Sequence, residues 1–236
     1  RQELVVCGIP IVVETFRARD PSLSCKLNVG EGQTVPFGAP IIEIAGPLRS
    51  ILAAERSALN FFSRMSGIAT STRRYVEAVR GTAAQIVDTR KTVPGWRHLD
   101  KYATAVGGAQ NHRMGLWDAA MIKDNHIAVA GSVGEAVRRA RDAGVAEIIC
   151  EVDRIDQIEP ALAAGATRLL LDNMEPPTLR EAVAVVAGRV PTEASGGINL
   201  DTIRAKAATG VDYVSVGRLT QSAPAADIGL DFTTLG

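Results

Sequence analysis

The chain has few aromatic residues, no net charge and no long apolar run. Aromatic residues make up 4% of its 236 positions, and 26 basic residues are balanced by 26 acidic ones. A protein with few aromatic rings and no net charge has neither a surface for stacking bases nor a basic face, so we expect no nucleic-acid partner and no membrane-surface partner. It also has no apolar run of about 18 residues, the length that a membrane-spanning helix needs.

Cysteine is scarce as well. Cys7, Cys25 and Cys150 are odd in number and have no paired spacing. This usage predicts reduced thiols and a cytoplasmic location. The start of the chain has no signal peptide, but it opens abruptly at Arg1, so we expect that an upstream segment is missing.

The second half of the chain alternates short apolar runs with amphipathic segments. This order is typical of a parallel sheet with right-handed helical crossovers. Six runs, with a possible seventh near 109–113, cover about 135 residues, whereas a full eight-unit barrel takes about 250. The sequence therefore predicts an α/β fold with an incomplete (open) α/β barrel of parallel strands. The six runs are 84–88, 119–122, 147–151, 168–172, 191–194 and 212–216.

Two of the amphipathic segments have clear ends. Ser132 and Glu135 form a capping box before an apolar stripe, and Gly144 follows the stripe as a stop signal. Asn199 is placed to cap a second helix, which Gly210 would end. We therefore expect helices over both segments.

Residues 1–58 have a different pattern and predict a smaller N-terminal α+β domain. Glycine turns separate three runs that we interpret as strands, 9–16, 25–29 and 40–44.

The segment from Glu55 to Arg80 is long enough for one helix or a broken pair that joins this domain to the next. We expect the barrel domain over residues 59–225, and we expect the tail, 226–236, to return to the first domain.

Polar residues follow the apolar runs at the point where each predicted strand ends. In parallel α/β barrels the active site collects at these carboxyl ends. One part of the set is cationic, one pair is acidic, and glycine turns complete it. In chain order the set is Arg90, Lys91, Lys123, Glu151, Asp172, Ser195, Gly196, Gly197 and Gly217.

The cationic residues belong to a stretch from Asp88 to His126 that contains all three histidines of the chain. Arg90, His112, Arg113 and Lys123 are suited to holding carboxylates, because guanidinium groups bind them in a bidentate manner. Lys123 is equally placed to form a Schiff base, as strand-end lysines do in aldolases.

Other residues of the chain have plainer interpretations. We expect His98 and Lys101 to be solvated on a helix, and His126 is open between a ligand contact and a structural hydrogen bond. Arg56, beside Glu55, would by default form an ordinary surface ion pair.

The acidic pair and the glycine turn suggest complementary tasks. Glu151 and Asp172 are suited to bind ribose hydroxyls, to hold magnesium through water, or to stabilise developing positive charge. Gly196 and Gly197 would let backbone amides approach a phosphate at the start of the helix near Asn199.

Long segments of the chain resemble the quinolinate phosphoribosyltransferase family. The resemblance rests on residues 88–126 (DTRKTVPGWRHLDKYATAVGGAQNHRMGLWDAAMIKDNH) and on four shorter motifs. It covers essentially the whole chain, although some tens of residues that the family has at its N-terminus are lacking. The shorter motifs are CEVD (150–153), LLLDNM (169–174), EASGGI (193–198) and SVGRLTQSAP (215–224).

The resemblance implies a reaction and its substrates. Quinolinate would react with phosphoribosyl pyrophosphate to give nicotinate mononucleotide, pyrophosphate and carbon dioxide in NAD biosynthesis. Catalysis would involve Lys123, Glu151 and Asp172.

It also implies roles for single residues. Quinolinate would be surrounded by Arg90, His112, Arg113 and Lys123, while Lys91 would serve the pyrophosphate or a substrate carboxylate. Glu151 and Asp172 would face the ribose and reach, through water, a Mg²⁺ ion that bridges the pyrophosphate. The 5′-phosphate would be held by Ser195, Gly196, Gly197 and Gly217. A homodimer is implied, with Arg56 entering the partner's site, which replaces its interpretation as a surface pair.

Three alternatives stay open at this point. One is a related phosphoribosyltransferase that acts on another heterocycle, such as the molybdenum-linked relatives. A second is a Schiff-base aldolase that uses Lys123. The third is a binding module without catalytic activity, which would leave the charged strand ends without a task.

Overall fold

The computed structural model describes residues 2–232 and divides the chain into two compact units. The first unit comprises Arg1–Arg74, Val93–Ala109 and Leu219–Gly236, and the second comprises Tyr75–Thr92 and Gln110–Arg218. The predicted boundary after residue 58 falls inside a single helix, α2 (Leu48–Ala78).

The first unit packs short antiparallel strands with helices around an apolar core. Strand β1 (Leu4–Val5) pairs with β3 (Thr34–Val35), and β2 (Ser24–Leu27) pairs with β4 (Ile42–Ala45). The helices of this unit are α1 (Ile9–Arg19), most of α2, and α3 (Arg97–Gly107). The core includes Ile9, Val12, Phe16, Ile51, Ala58, Phe62 and, from the tail, Ala226.

The prediction of a strand over 9–16 is wrong, because these residues form α1. Ile9, Val12 and Phe16 are its buried residues, a spacing that places them on one helical face. Glu31 secures the start of the helix by accepting hydrogen bonds from the backbone N–H groups of Gly8 (2.6 Å) and Ile9 (3.0 Å). This packing outweighs the strand preference of the β-branched run.

Helix α3 corrects a second prediction. His98 is exposed, but Lys101 has only 1% of its surface exposed, so the expectation that it is solvated is wrong. The buried face of α3 includes polar positions, because it also contains Asp100, whose carboxylate accepts two hydrogen bonds from Arg64 (3.1 and 2.9 Å).

The second unit contains the predicted parallel sheet. Its strand order is β5-β10-β9-β8-β7-β6, and every neighbouring pair is parallel. The strands are β5 (Gln85–Val87), β6 (Ala120–Ile122), β7 (Ile148–Val152), β8 (Arg168–Asp172), β9 (Thr192–Ser195) and β10 (Tyr213–Ser215). The helices are α4 (Asp124–Ala130), α5 (Val133–Asp142), α6 (Ile158–Ala164) after a 3₁₀ turn at Ile155–Gln157, α7 (Pro176–Val186) and α8 (Ile203–Ala207), and α9 (Arg218–Gln221) follows β10.

The sheet is open, as the number of apolar runs predicted. Among residues 2–232 no strand pairing joins β5 to β6, which are the two edges of the sheet. The possible seventh strand near 109–113 is reduced to one parallel bridge between Val87 and Gln110. The segment that follows Gln110 is therefore placed beside β5 and free of regular secondary structure.

Strand alternation brings the predicted site residues to one face of this sheet. Ala119, Met121, Ile149 and Leu170 form an apolar cluster. Side chains two positions apart point to the same side of a strand, so Lys123, Glu151 and Asp172 continue that face beyond the cluster. Because all the strands are parallel, these three ends lie at the same edge.

Candidate active site

Lys123 and Glu151 form an ion pair at the ends of adjacent strands. Ile122 of β6 is opposite Cys150 of β7, so the next residue of each strand is brought alongside the other. The ammonium group of Lys123 donates a hydrogen bond to the Glu151 carboxylate, with 44% and 17% of the two side chains exposed. Sequence reasoning placed these residues in separate halves of the site, whereas the structure brings them together.

Asp88 fixes the segment that carries His112 and Arg113. Its carboxylate is fully buried just after β5. One oxygen accepts from the backbone N–H of His112 (2.8 Å), and the other accepts from the side-chain amide of Asn111 (2.7 Å). The part of the chain without secondary structure is thus held by a side chain that sequence reasoning did not assign to the site.

Arg113 is anchored by the chain and experiences the charge of a second arginine. Its guanidinium donates to the backbone oxygen of Ala119 (2.9 Å). Burial, followed by the positive charge of Arg90, lowers the pKa of Arg113. A partly buried guanidinium that experiences a second positive charge favours the binding of an anion beside it.

The imidazole of His112 is held at both nitrogens. Nδ1 accepts a hydrogen bond from the backbone N–H of Arg113 (2.7 Å), and Nε2 lies 3.2 Å from a carboxylate oxygen of Glu193. Only 6% of the His112 side chain is exposed. Sequence reasoning did not assign Glu193 to the site, although this residue opens the motif EASGGI (193–198).

Asn173 joins Asp172 to the end of β9 by two hydrogen bonds. Asp172 of β8 is opposite Ser195 of β9. The next residue, Asn173, donates from its backbone N–H to the Ser195 oxygen (3.0 Å) and from its side-chain amide to the Asp172 carboxylate (2.6 Å). Asp172 therefore faces the glycine turn, as the order of the strand ends predicted.

Gly196 and Gly197 both have left-handed backbone angles, with φ of +85° and +63°. A Cβ atom at Gly196 would lie 2.1 Å from the side-chain oxygen of Asn173. Glycine is therefore required at this position both for its backbone angle and for its lack of a side chain.

Lys206 lies beneath the same turn. Its ammonium group donates to the backbone oxygens of Met174 (3.0 Å) and Gly196 (3.3 Å), and 5% of the residue is exposed. Sequence reasoning missed this residue; its only signal is a charge next to the apolar Ala207 of the predicted helix.

The helix after the glycine turn begins later than predicted. It starts at Ile203 rather than near Asn199 and is five residues long. The Asn199 side chain accepts from the backbone N–H groups of Asp201 (2.9 Å) and Thr202 (3.0 Å), which stabilises a turn in place of the first helical residues.

The remaining predicted residues lie on several elements. Gly217 follows β10 after one intervening residue, Val216, and Lys91 is exposed after β5. His126 makes a structural hydrogen bond, because its Nδ1 accepts from the backbone N–H of Lys123 (3.0 Å), and a ligand contact of this residue stays a prediction. Arg56 is exposed on the part of α2 that belongs to the first unit.

The described residues offer limited metal ligation. Within residues 2–232, no group of three or more His, Cys, Asp or Glu side chains is arranged to hold a metal ion. Glu151 is already engaged by Lys123. Glu151 and Asp172 lie at the ends of the adjacent strands β7 and β8 and supply carboxylate oxygens, the ligands that Mg²⁺ prefers.

The structure also describes the length and character of the helices and the state of the cysteines. No helix in the described part of the chain combines the length and apolar character needed to cross a membrane. Cys7, Cys25 and Cys150 are free thiols, with the first and last buried.

The second unit is an open α/β barrel, and the site at its strand ends contains arginines, a lysine, carboxylates and a glycine turn. These features define the class of barrel enzymes that act on anionic substrates. Comparison with known proteins is more specific. Residues 1–66 match the family model described as "Quinolinate phosphoribosyl transferase, N-terminal domain", and residues 68–231 match its C-terminal counterpart. The chain belongs to the quinolinate phosphoribosyltransferase family.

Individual relatives agree with this assignment. The chain is 42% identical over 235 residues to a probable nicotinate-nucleotide pyrophosphorylase [carboxylating] of Bacillus subtilis, with 99% of this chain and 81% of the relative covered. It is 48% identical over 211 residues to the nicotinate-nucleotide pyrophosphorylase [carboxylating] of Mycobacterium leprae, with 86% and 73% covered. The crystal structure of NadC from Streptococcus pyogenes has a TM-score of 0.93 at 39% identity and covers 96% of this chain and 81% of its own.

Proposed function

We propose that this chain transfers the phosphoribosyl group of phosphoribosyl pyrophosphate to quinolinate and releases carbon dioxide and pyrophosphate, giving nicotinate mononucleotide for NAD biosynthesis. The observation that carries the proposal is the placement of three cations: Arg90 follows β5, Lys123 follows β6, and Arg113 lies on the segment that Asp88 holds beside β5. The cationic groups match the two carboxylates of quinolinate, and the family to which the chain belongs independently indicates the same substrate.

The quinolinate end of the site is formed by cations that the chain already holds in place. Arg113 is anchored through Ala119 on one side and through its backbone contact with His112 on the other. Arg90 follows β5, and Lys123 follows β6. We assign the two substrate carboxylates to these three residues, because anchored guanidinium groups lose little freedom on binding.

The phosphoribosyl end consists of the glycine turn and the acidic strand ends. Ser195, Gly196, Gly197 and Gly217 are assigned to the 5′-phosphate. Lys206 adds a buried positive charge beneath the turn. The ribose is assigned to Glu151 and Asp172, whose carboxylates are suited to its hydroxyls and to positive charge that develops on the sugar.

The reaction needs no covalent link to the protein. The pyridine nitrogen forms a bond to C1′ of the ribose while the C–O bond to pyrophosphate breaks and its electron pair leaves with pyrophosphate. The C–C bond to the carboxylate beside the ring nitrogen then breaks and releases carbon dioxide. The electron pair stays on the ring carbon, stabilised by the quaternised nitrogen, and takes up a proton from water. The protein contributes positioning and electrostatic stabilisation.

Magnesium belongs to the proposal as an ion that accompanies the pyrophosphate. Asp172 and Glu151 would contact it through water, and Lys91 would contact the pyrophosphate directly. Such an ion, when bound, neutralises charge on the leaving group.

A homodimer is also proposed, in which Arg56 enters the partner's site. Its exposure on α2 makes it available for this contact. The test is to mix an Arg56→Ala protein with a Lys123→Ala protein, each inactive in its own homodimer. Hybrid dimers should recover activity at one of their two sites, whereas no recovery after confirmed subunit exchange would reject the shared site.

A cytoplasmic location is proposed together with this activity. It is supported by three cysteines that are all free thiols, which is the usual state in a reducing compartment. Fractionation of the native host, with the protein followed by antibody, would test it.

The decisive experiment is an assay of carbon dioxide and pyrophosphate from quinolinate and phosphoribosyl pyrophosphate with magnesium. Both products should appear in equal amounts, and Lys123→Ala should form neither. Pyrophosphate without carbon dioxide, or turnover only with another heterocycle, would favour the related transferases. Borohydride trapping of a carbonyl substrate on Lys123 would favour the aldolase.

A further inference from the structure

Glu193 is a buried carboxylate that the reaction as described does not use. It lies on β9, and 1% of its side chain is exposed. One of its oxygens, Oε2, lies 3.2 Å from Nε2 of His112 and 3.3 Å from a guanidinium nitrogen of Arg168. A buried carboxylate is costly to maintain, so its partners indicate what it does.

The contact at the opposite nitrogen of His112 shows which atom carries the proton. The backbone N–H of Arg113 can only donate, so Nδ1 of His112, at 2.7 Å, must accept. The proton of the neutral ring is then on Nε2, and that N–H points to Glu193. Both ring nitrogens are therefore occupied by contacts within the chain.

Glu193 keeps its charge in this place. Burial raises the pKa of its carboxyl, but the hydrogen bond from His112, the electrostatic interaction with that ring, the hydrogen bond from Ser215 and the charge of Arg168 outweigh burial and hold that pKa below its ordinary value. An ionised carboxylate accepts but cannot donate, so it selects the Nε2–H form of the histidine.

We infer that Glu193 is a positioning residue that fixes the tautomer of His112 and thereby the backbone of Arg113, the residue assigned to a quinolinate carboxylate. This inference rests on the proposed function. His112 then orients Arg113 while its imidazole is held by Glu193 of β9. Asp88, which follows β5, holds the backbone N–H of His112 at 2.8 Å. Direct contact of the imidazole with quinolinate is not needed.

The first test is independent of activity. Selective ¹⁵N labelling of histidine gives only three imidazoles to assign, those of His98, His112 and His126. Long-range ¹H–¹⁵N spectra of the whole protein, with His98→Gln and His126→Gln for assignment, should show His112 as the neutral Nε2–H form. An Nδ1–H form, or a ring protonated at both nitrogens at neutral pH, would overturn the inference.

The second test separates positioning from a purely structural role. Glu193→Leu should raise the KM for quinolinate about tenfold or more, with the KM for phosphoribosyl pyrophosphate within about twofold of wild type. Glu193→Gln, which keeps an acceptor oxygen, should recover most of that loss. Arg168→Gln is the matched control, because it removes the other partner of the same oxygen and should leave the quinolinate KM within about twofold.

The outcomes are distinct. A folded Glu193→Leu protein with the wild-type KM for quinolinate would overturn the inference, as would equal effects of Glu193→Leu and Arg168→Gln on that KM. If Glu193→Leu does not fold, the tautomer in the wild type and the KM values of Glu193→Gln and Arg168→Gln decide the question. Absence of carbon dioxide release by the wild type would instead reject the proposed function, and the spectra would still report the tautomer.

Discussion

The buried ammonium group of Lys206 donates a 3.3 Å hydrogen bond to the backbone oxygen of Gly196, so a positive charge lies directly under the glycine turn. The same group binds the oxygen of Met174 at 3.0 Å and so ties the loops after β8 and β9 together. A charge held in this way supports an anion above the turn without contacting it. It also means that part of the phosphate affinity comes from a residue outside the turn.

Replacing Lys206 by Met should therefore weaken the binding of phosphoribosyl pyrophosphate more than the binding of quinolinate. We expect the KM for phosphoribosyl pyrophosphate to rise about tenfold, the equivalent of about 1.4 kcal/mol. Arg180→Met is the control. Arg180 is exposed on α7, and its replacement removes one positive charge from the surface. Steady-state kinetics with each substrate varied in turn would check this, and equal changes in the two KM values would contradict it.

The two glycines of the turn should respond differently to alanine. At Gly196 an added Cβ would meet Asn173, so Gly196→Ala should displace the loop and abolish detectable binding of phosphoribosyl pyrophosphate. At Gly197 no heavy atom of the described residues lies within 4 Å of such a Cβ. Gly197→Ala should then lower the free energy of unfolding by only about 1 kcal/mol, because alanine must adopt a left-handed backbone angle there. Calorimetric titration and denaturant unfolding of the pair would test this, and similar behaviour of both variants would count against it.

Arg113→Ala should remove most of the affinity for quinolinate. A charge-assisted hydrogen bond is worth about 1.5 to 3 kcal/mol, so the dissociation constant should rise about tenfold to a hundredfold. Arg139→Ala is a control on α5, where the guanidinium only pairs with Glu135 of the same helix (2.9 Å). Isothermal titration is the measurement, and an unchanged affinity of Arg113→Ala would take this residue out of the quinolinate site.

The thiols should differ sharply in reactivity. Burial, reinforced by the charge of Glu151, raises the pKa of Cys150 to about 12, and burial followed by the charge of Glu31 raises the pKa of Cys7 as well. The thiolate is the reactive form, and it is populated only as the pH approaches the pKa. At pH about 8 only the half-buried Cys25 should react with a disulfide reagent in the native protein, and the other two should react after unfolding. Rapid reaction of two thiols in the native protein would contradict this.

The sequence predicted the part of the fold that rests on local pattern. The runs that become β7 and β8 each have three consecutive non-charged, largely apolar residues followed by a carboxylate, so their positions and the acidic edge follow from the residues themselves. Ser132 caps α5 as expected, with its oxygen accepting from the backbone of Glu135 (3.2 Å). Such features depend on neighbours in the chain.

What the sequence did not reveal depends on distant partners. Ile9 to Phe16 form a helix because Glu31 caps it and the first unit's core surrounds one face. Residues 93–109 belong to the first unit although they lie between segments of the second. The partnership of Glu193 with His112 joins residues that share no motif, and neither residue type signals it.

Asp88, His112 and Glu193 come from three separate stretches of the chain, and His112 links the other two. Its backbone N–H serves Asp88, which every residue except proline could supply, whereas its imidazole serves Glu193. Change at position 112 is therefore restricted by Glu193 rather than by Asp88, so positions 112 and 193 should covary across homologues.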